Sequence, residues 1–316
     1  MIPISIKYVE SIIAKHSAKI KKFSQQLETD MDELLKVAGL EPEDKAYINL
    51  IKKKADILIT ATPDELNSLL ADFESEIPAT TMEKDDKKEF RKKLITSMAY
   101  STRRNSFYPR YFKDLGLKTC VYCNSQLTVS VDSTKKKWKK ITARFQVDHY
   151  LPKSHYPCFC ISLFNLYPVC ASCNNLKGVK KLKFKLYNNV ITLPSDYTFV
   201  LDNASKAKYL LTRKTEDIEI EFKEPQATEE FKTFDDTFSI KGIYNTQKDV
   251  AGELILKKEA YDKLYKERLM KDFKEIFTDL NITNRLLIGN YVEERDIHKR
   301  PMAKFTQDIA KQLGLI

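Results

Sequence analysis

The sequence predicts an α+β protein built around a metal-pinned central segment. Three observations lead there. Cys-x-x-Cys knuckles, Cys120 with Cys123 and Cys170 with Cys173, enclose an Asp-His pair, Asp148 and His149. Before the first knuckle, apolar residues recur at helical spacing. Around the Asp-His pair and after the second knuckle, alternating runs read as strands. The expected layout is a helical region over 1–104, a knuckle-bearing core over 105–185 and an α+β accessory region over 186–316.

The chain has 316 residues, room for about two domains and ample core. No apolar run approaches the roughly 20 residues that span a bilayer. The first residues pass into a charged helical pattern rather than a secretory leader. The expectation is a cytoplasmic protein without membrane contact, whose cysteines stay reduced and favour a metal over disulfides.

In the helical region, Ile6, Val9, Ile12, Ile13 and Ile20 form one stripe, continued by Leu34, Leu35, Val37 and Leu40. Thr62, Pro63 and Glu65 make a helix start: a cap, a first-turn proline and a reciprocal partner for the cap. Leu66, Leu69, Leu70 and Phe73 then share a face. Phe90, Leu94, Ile95 and Met98 define a further helix ending near Arg103 and Arg104. His16, among polar neighbours, reads as a surface residue. The aromatic stretch 107–112 leads into the first knuckle and is expected to pack against it; its Arg110 could also meet a phosphate.

After that knuckle, 126–131 alternates like a strand, and Asp132, Ser133 and Thr134 supply a turn. Residues 138–147 read as the returning strand, with Ile141, Ala143, Phe145 and Val147 on one side. It delivers Asp148 and His149 at its end. Pro152 and Pro157 mark an irregular loop. A short helix starts near Cys170 and stops at Gly178, a natural residue just past a helix end. Beyond 186, short strands are expected at 190–193, 197–201, 209–212, 218–222 and 238–244. One long helix over 246–277 follows, weakened by Gly252, and Pro301 opens a last helix. His298 reads as a surface residue.

The charge is uneven. Between residues 120 and 185 stand twelve basic residues and two acidic ones, so this segment carries the whole net charge of +10. A positive field on the motif-bearing segment suits a polyanion. The candidate phosphate contacts are Lys135, Lys136, Lys137, Lys139, Lys140, Lys153 and Lys177; the plainer reading is a solvated lysine face.

Two residues between paired cysteines let both sulfurs reach one ion, and two such knuckles complete a tetrahedron. With Cys120, Cys123, Cys170 and Cys173 all supplied, no position stays open for water, so this zinc should be structural. Cys158 and Cys160 are not needed as ligands. Asp148 and His149 project to opposite sides if the strand continues through them. Asp148 and Asn174 offer hard oxygens suited to Mg²⁺. Neutral His149 can accept a proton from an attacking water.

On these residues the segment resembles the HNH family of ββα-metal nucleases, in the form with two Cys-x-x-Cys knuckles. The match rests on Asp148-His149, then Asn165 after fifteen residues and Asn174 after eight more. Pro152, Ser154 and Lys177 continue it. The resemblance implies His149 as general base and Asp148 with Asn174 as ligands of a catalytic divalent ion. It gives Asn165 the task of holding the loop and orienting His149. Asn174 stands where many members carry histidine, which leaves Mg²⁺ and Mn²⁺ both open. The resemblance covers residues 107–185. The flanks resemble accessory regions of bacterial HNH proteins in phage-defence or mobile-element settings, such as Septu-type nucleases that work beside a separate ATPase. The expected function is metal-dependent hydrolysis of DNA phosphodiester bonds. The alternatives are a zinc-stabilised nucleic-acid-binding module without catalysis and a nuclease acting on RNA.

Overall fold

The computed structural model describes residues 2–133, 140–188, 196–277 and 279–316. The architecture is mixed α+β, with many helices around small two-stranded sheets. The chain enters through β1 (Ile4–Ser5) and continues as α1 (Ile6–Lys15), α2 (Ser17–Leu35), α3 (Pro42–Lys53), α4 (Ala55–Leu58), α5 (Pro63–Glu76), α6 (Ala79–Met82), α7 (Lys88–Ser97), α8 (Tyr100–Ser106) and α9 (Tyr108–Leu115). The apolar stripes explain these helices: Ile6, Val9, Ile12, Ile20 and Leu34 are buried, although Val37 faces solvent. The start of α5 is capped in both directions. Glu65 N–H donates to Thr62 Oγ1 and Thr62 N–H to Glu65 Oε2, at 3.4 and 2.8 Å. His16 is not a free surface residue; it sits half-buried at the α1–α2 joint, 3.1 Å from Asp114 and edge-on to Phe107.

The central segment departs from expectation in one respect that matters. The strand read over 138–147 is two strands. β2 (Val129–Ser133) pairs antiparallel with β3 (Lys140–Arg144). The chain then bends at Phe145, whose ring meets Phe112 edge-on at 5.4 Å. Next, β4 (Gln146–His149) leaves that hairpin and pairs antiparallel with β5 (Leu166–Val169), setting Asp148 opposite Tyr167 and His149 opposite Leu166. α10 (Ala171–Lys177) follows directly. The order is therefore strand, loop, strand, helix, with the proline-marked loop between the strands of the unit. β6 (Tyr187–Asn188) runs parallel to β1 and ties the start of the chain to the end of this segment.

Further on, β7 (Thr198–Leu201) pairs with β8 (Ile220–Lys223). Between them, the expected strand at 209–212 is the end of a helix, α11 (Asn203–Thr212). Asp202 caps it by accepting from Ser205 N–H at 2.6 Å, a start signal that outweighs a short apolar run readable either way. The expected strand at 238–244 is likewise helical, as α12 (Phe234–Phe238), capped by Thr233, and α13 (Ile240–Asn245). The long helix expected over 246–277 is broken into α14 (Lys248–Ala260) and α15 (Lys263–Asp272), because Asp262 caps a new start at Tyr265 N–H. Gly252 is there for space, not weakness: a Cβ would stand 2.9 Å from Tyr209 Oη. α16 (Leu280–Ile288) and α17 (Ala303–Gln312) complete the chain. The expected strand at 190–193 lies outside the described residues. His298 is buried rather than exposed, donating Nε2–H to the Ile2 carbonyl at 2.8 Å. No described helix is long and apolar enough to cross a membrane.

Candidate functional site

The four knuckle cysteines converge. Cys120 and Cys123 stand in the turn before β2, Cys170 caps α10 and Cys173 lies in its first turn. Their sulfurs all fall within 4.8 Å of one another. A tetrahedral zinc with Zn–S near 2.3 Å would hold sulfurs about 3.8 Å apart, which lies within that bound. Backbone and hydroxyl donors already face the sulfurs: Cys173 N–H to Cys170 Sγ at 3.4 Å and Ser125 Oγ to Cys123 Sγ at 3.2 Å. Four thiols this close do not ionise independently. Hydrogen bonding with Cys120 holds Cys123 far below the usual thiol range and Cys173 far above it. Cys158 and Cys160 stand apart from this cluster, both buried, and burial pushes the Cys160 thiol up to about 12.

On β4 the side chains alternate, so Gln146 and Asp148 share one face and Val147 and His149 the other. α10 lies along the first face. Asn174 Nδ2 donates to Gln146 Oε1 at 2.6 Å, and Lys177, one turn on, puts Nζ 3.1 Å from Asp148 Oδ2 and 3.0 Å from the His149 carbonyl. Tyr122, between the first two cysteines, donates its hydroxyl to Asp148 Oδ2 at 2.6 Å. Burial raises the Asp148 carboxyl above its ordinary value, and Lys177 and Tyr122 oppose that rise. Lys177, expected at the nucleic-acid surface, is 1% exposed and belongs to this buried pair.

His149 occupies the opposite face. Its Nε2 lies 3.1 Å from the Cys160 carbonyl, which can only accept, so Nε2 carries the proton and Nδ1 the lone pair. The Tyr100 ring packs on the imidazole at 5.1 Å. Burial first, and then the nearby Lys153 cation, lower the imidazole to about 3, against the hydrogen bond to Cys160.

Asn165 closes the loop that supplies that carbonyl. Its Oδ1 accepts from Leu151 N–H at 2.7 Å, while Nδ2 donates to the Leu151 and Phe159 carbonyls at 3.1 and 3.0 Å. His155 braces the same loop through Ser154 and Glu83. Arg110 is held by Asp114, four residues on, rather than waiting for a phosphate. Of the remaining lysines, Lys153 is exposed with Nζ 5.0 Å from the Tyr100 ring centre. Lys135, Lys136, Lys137 and Lys139 lie outside the described residues, as does the side chain of Lys140. Sequence reasoning missed Tyr122 and Tyr100. Tyr122 had a faint signal in its place inside a knuckle; Tyr100 had none.

No family model matches the chain, and no solved structure matches it. Among curated proteins, 100 residues are 31% identical to the Septu protein PtuB of Bacillus thuringiensis. That stretch is 31% of this chain and 35% of the relative, so the match spans about a third of each protein.

Chemically, the site offers a closed sulfur tetrad beside a short β-β-α unit. That unit carries a neutral, oriented imidazole on one face and carboxylate and amide oxygens on the other. The oxygens are the right class for Mg²⁺ or Mn²⁺. The Asp148 carboxylate is already paired with Lys177, so a divalent ion would share it with that ammonium.

Proposed function

We propose that this protein is an HNH-type endonuclease that hydrolyses DNA phosphodiester bonds, with a structural Zn²⁺ and a catalytic Mg²⁺ or Mn²⁺. The observation that carries the reading is the His149 geometry. A loop tied by Asn165 presents the Cys160 carbonyl to Nε2, and this leaves Nδ1 as the proton acceptor in a neutral imidazole. An ordinary core histidine does not require an adjacent carboxylate, a following helix with a hard amide donor, and a nearby sulfur tetrad.

In this reading Cys120, Cys123, Cys170 and Cys173 hold zinc, fixing the start of α10 to the turn before β2. Asp148 and Asn174 hold the divalent ion, which when bound supplies stabilisation of charge developing on the phosphate and leaving oxygen. Tyr122 and Lys177 orient Asp148. His149 Nδ1 takes the proton from the attacking water. The similarity to a Septu protein supports a role in bacterial phage defence with partners of such a system; the partner proposed is a separate ATPase.

The test is plasmid cleavage with Mg²⁺ or Mn²⁺, with any activator present. His149→Ala should lower the rate by about 10²–10⁴-fold while retaining fold and DNA binding. A folded His149→Ala protein cutting at the wild-type rate overturns the assignment. The Lys177–Asp148 pair favours one competing reading, a zinc-stabilised DNA-binding module without catalysis. Tight duplex binding with no nicking under any divalent ion would establish that instead.

A further inference from the structure

We propose that the cleft between α8 and the β3–β4 segment seats the substrate's phosphodiester backbone, with Arg104 and Lys153 contacting phosphates beside His149. This rests on the nuclease reading above and adds to it a binding surface from the helical region, which the central motif does not include.

The cleft has a volume of about 200 Å³. Arg104, Asn105 and Pro109 line one wall, and Thr142, Phe145 and Val147 line the other. Its size is below the roughly 300–1,000 Å³ usual for small-molecule pockets, and it is partly open to solvent. Among the described residues, no acidic side chain lines it.

The cleft leads to His149 along two elements at once. On β4, Val147 and His149 are two residues apart and share a face. On α8, Tyr100 and Arg104 are four residues apart and share a face. Tyr100 packs against the His149 ring at 5.1 Å, and Lys153 Nζ stands over the Tyr100 ring at 5.0 Å. Lys153 therefore reaches His149 through the Tyr100 ring, and Arg104 lies one helical turn from that ring on α8.

The two arginines of α8 are divided in role. Arg103 is buried, donating to the Phe23 carbonyl at 3.4 Å with its guanidinium 4.8 Å from the Phe23 ring, and so fixes α8 to α2. Arg104 is exposed and, among the described residues, pairs with no carboxylate; nor does Lys153. Holding α8 in this direction uses a left-handed backbone at Ala99, φ 52°, just before its first residue. A planar guanidinium matches a phosphate with two parallel hydrogen bonds, and a flexible ammonium reaches a second phosphate as a point charge. The occupant these groups recognise is a nucleic-acid strand.

The experiment measures duplex DNA binding by the His149→Ala protein, which leaves the substrate intact, across a salt series. Arg104→Gln and Lys153→Gln are each added to that background. Removing one phosphate partner should reduce the log–log salt slope by about 0.9. Arg213→Gln, an exposed arginine at the end of α11, serves as a charge-matched control and should leave the slope unchanged. In the cleaving protein, Arg104→Gln should raise KM with little change in kcat. An unchanged slope for both Arg104→Gln and Lys153→Gln, or an equal loss for Arg213→Gln, overturns the cleft assignment even if the protein cleaves. A reduced slope in a protein that never cleaves supports the cleft and counts against the nuclease reading instead.

Discussion

Two buried histidines, His149 and His298, stand in different surroundings. Each donates Nε2–H to a backbone carbonyl, of Cys160 and Ile2 respectively. Burial lowers both to about 3. What separates them is the company. His149 follows a carboxylate, faces the Tyr100 ring and has Lys153 and Arg104 nearby. His298 lies in a 3₁₀ turn over Glu294–Lys299, and its Nδ1 is buried with no partner among the described residues. A neutral, fixed imidazole is therefore not in itself a sign of chemistry. A neutral imidazole beside a carboxylate at a strand end is the better candidate.

The two regions meet at a joint, and breaking it should have the largest effect. Asn124, directly after the first knuckle, adopts φ 53° and is fully buried. Its Nδ2 donates to the Ile297 carbonyl, its Oδ1 accepts from Lys304 N–H and its carbonyl from Met302 N–H, at 3.1, 3.0 and 2.7 Å. Tyr244 adds its hydroxyl to the Cys123 carbonyl at 2.8 Å. Structural zinc is worth on the order of 10–16 kcal/mol in small zinc peptides. Cys173→Ser should therefore unfold the β4–β5–α10 unit and loosen the His298 turn with it. Hydrogen exchange would show protection lost in both regions. Active protein that contains no zinc would refute the structural role.

Acid should act on the two histidines equally, although only His149 is proposed to serve a reaction. Each has a folded value below its unfolded value of about 6.5, so the unfolded chain binds protons that the fold refuses. The stability each contributes is complete above about pH 6.5 and is lost as pH falls toward 3. Between about pH 7.5 and 5 that loss is about 2 kcal/mol for each histidine. Asp148 and Asp308, raised by burial, work in the opposite sense in the carboxylate range. His298→Gln keeps an N–H donor and should remove its share of the acid loss without changing cleavage. His149→Gln should remove a similar share and abolish cleavage. Urea midpoints at the two pH values, read beside plasmid cleavage, test the pair. A His298→Gln protein that folds but does not cut would erase the distinction.

The site is more legible in the sequence than the fold around it. The cysteine spacing points to a tetrad because metal geometry constrains short separations, and the four sulfurs do converge. Asp148, His149, Asn165 and Asn174 stand out because each carries a polar group at a marked position. The strand break at Phe145 is not legible: 140–147 alternates straight through it, while in the fold the chain bends where the Phe145 ring meets Phe112. The segments 209–212 and 238–244 read as strands because short apolar runs fit either period, while the caps Asp202 and Thr233 lie several residues ahead of them. Lys177 looks like a surface cation because sequence does not show that Asp148 waits inside the fold for it.

The smallest expected effect concerns the lysine run between β2 and β3 in the sequence. Lys135, Lys136, Lys137 and Lys139 fall in the sequence between β2 and β3, Lys140 opens β3, and β3 supplies one wall of the Arg104 cleft. Counterions released from phosphates by these lysines would add to those released along the cleft. Neutralising Lys135, Lys136 and Lys137 together should therefore weaken duplex binding and lower the salt slope by about 0.9 for every phosphate no longer neutralised. Zinc content, urea midpoint and the rate at saturating DNA should stay as they are. If the slope does not move while Arg104→Gln does lower it, the lysine run is a solvated surface and recognition is confined to the cleft beside His149.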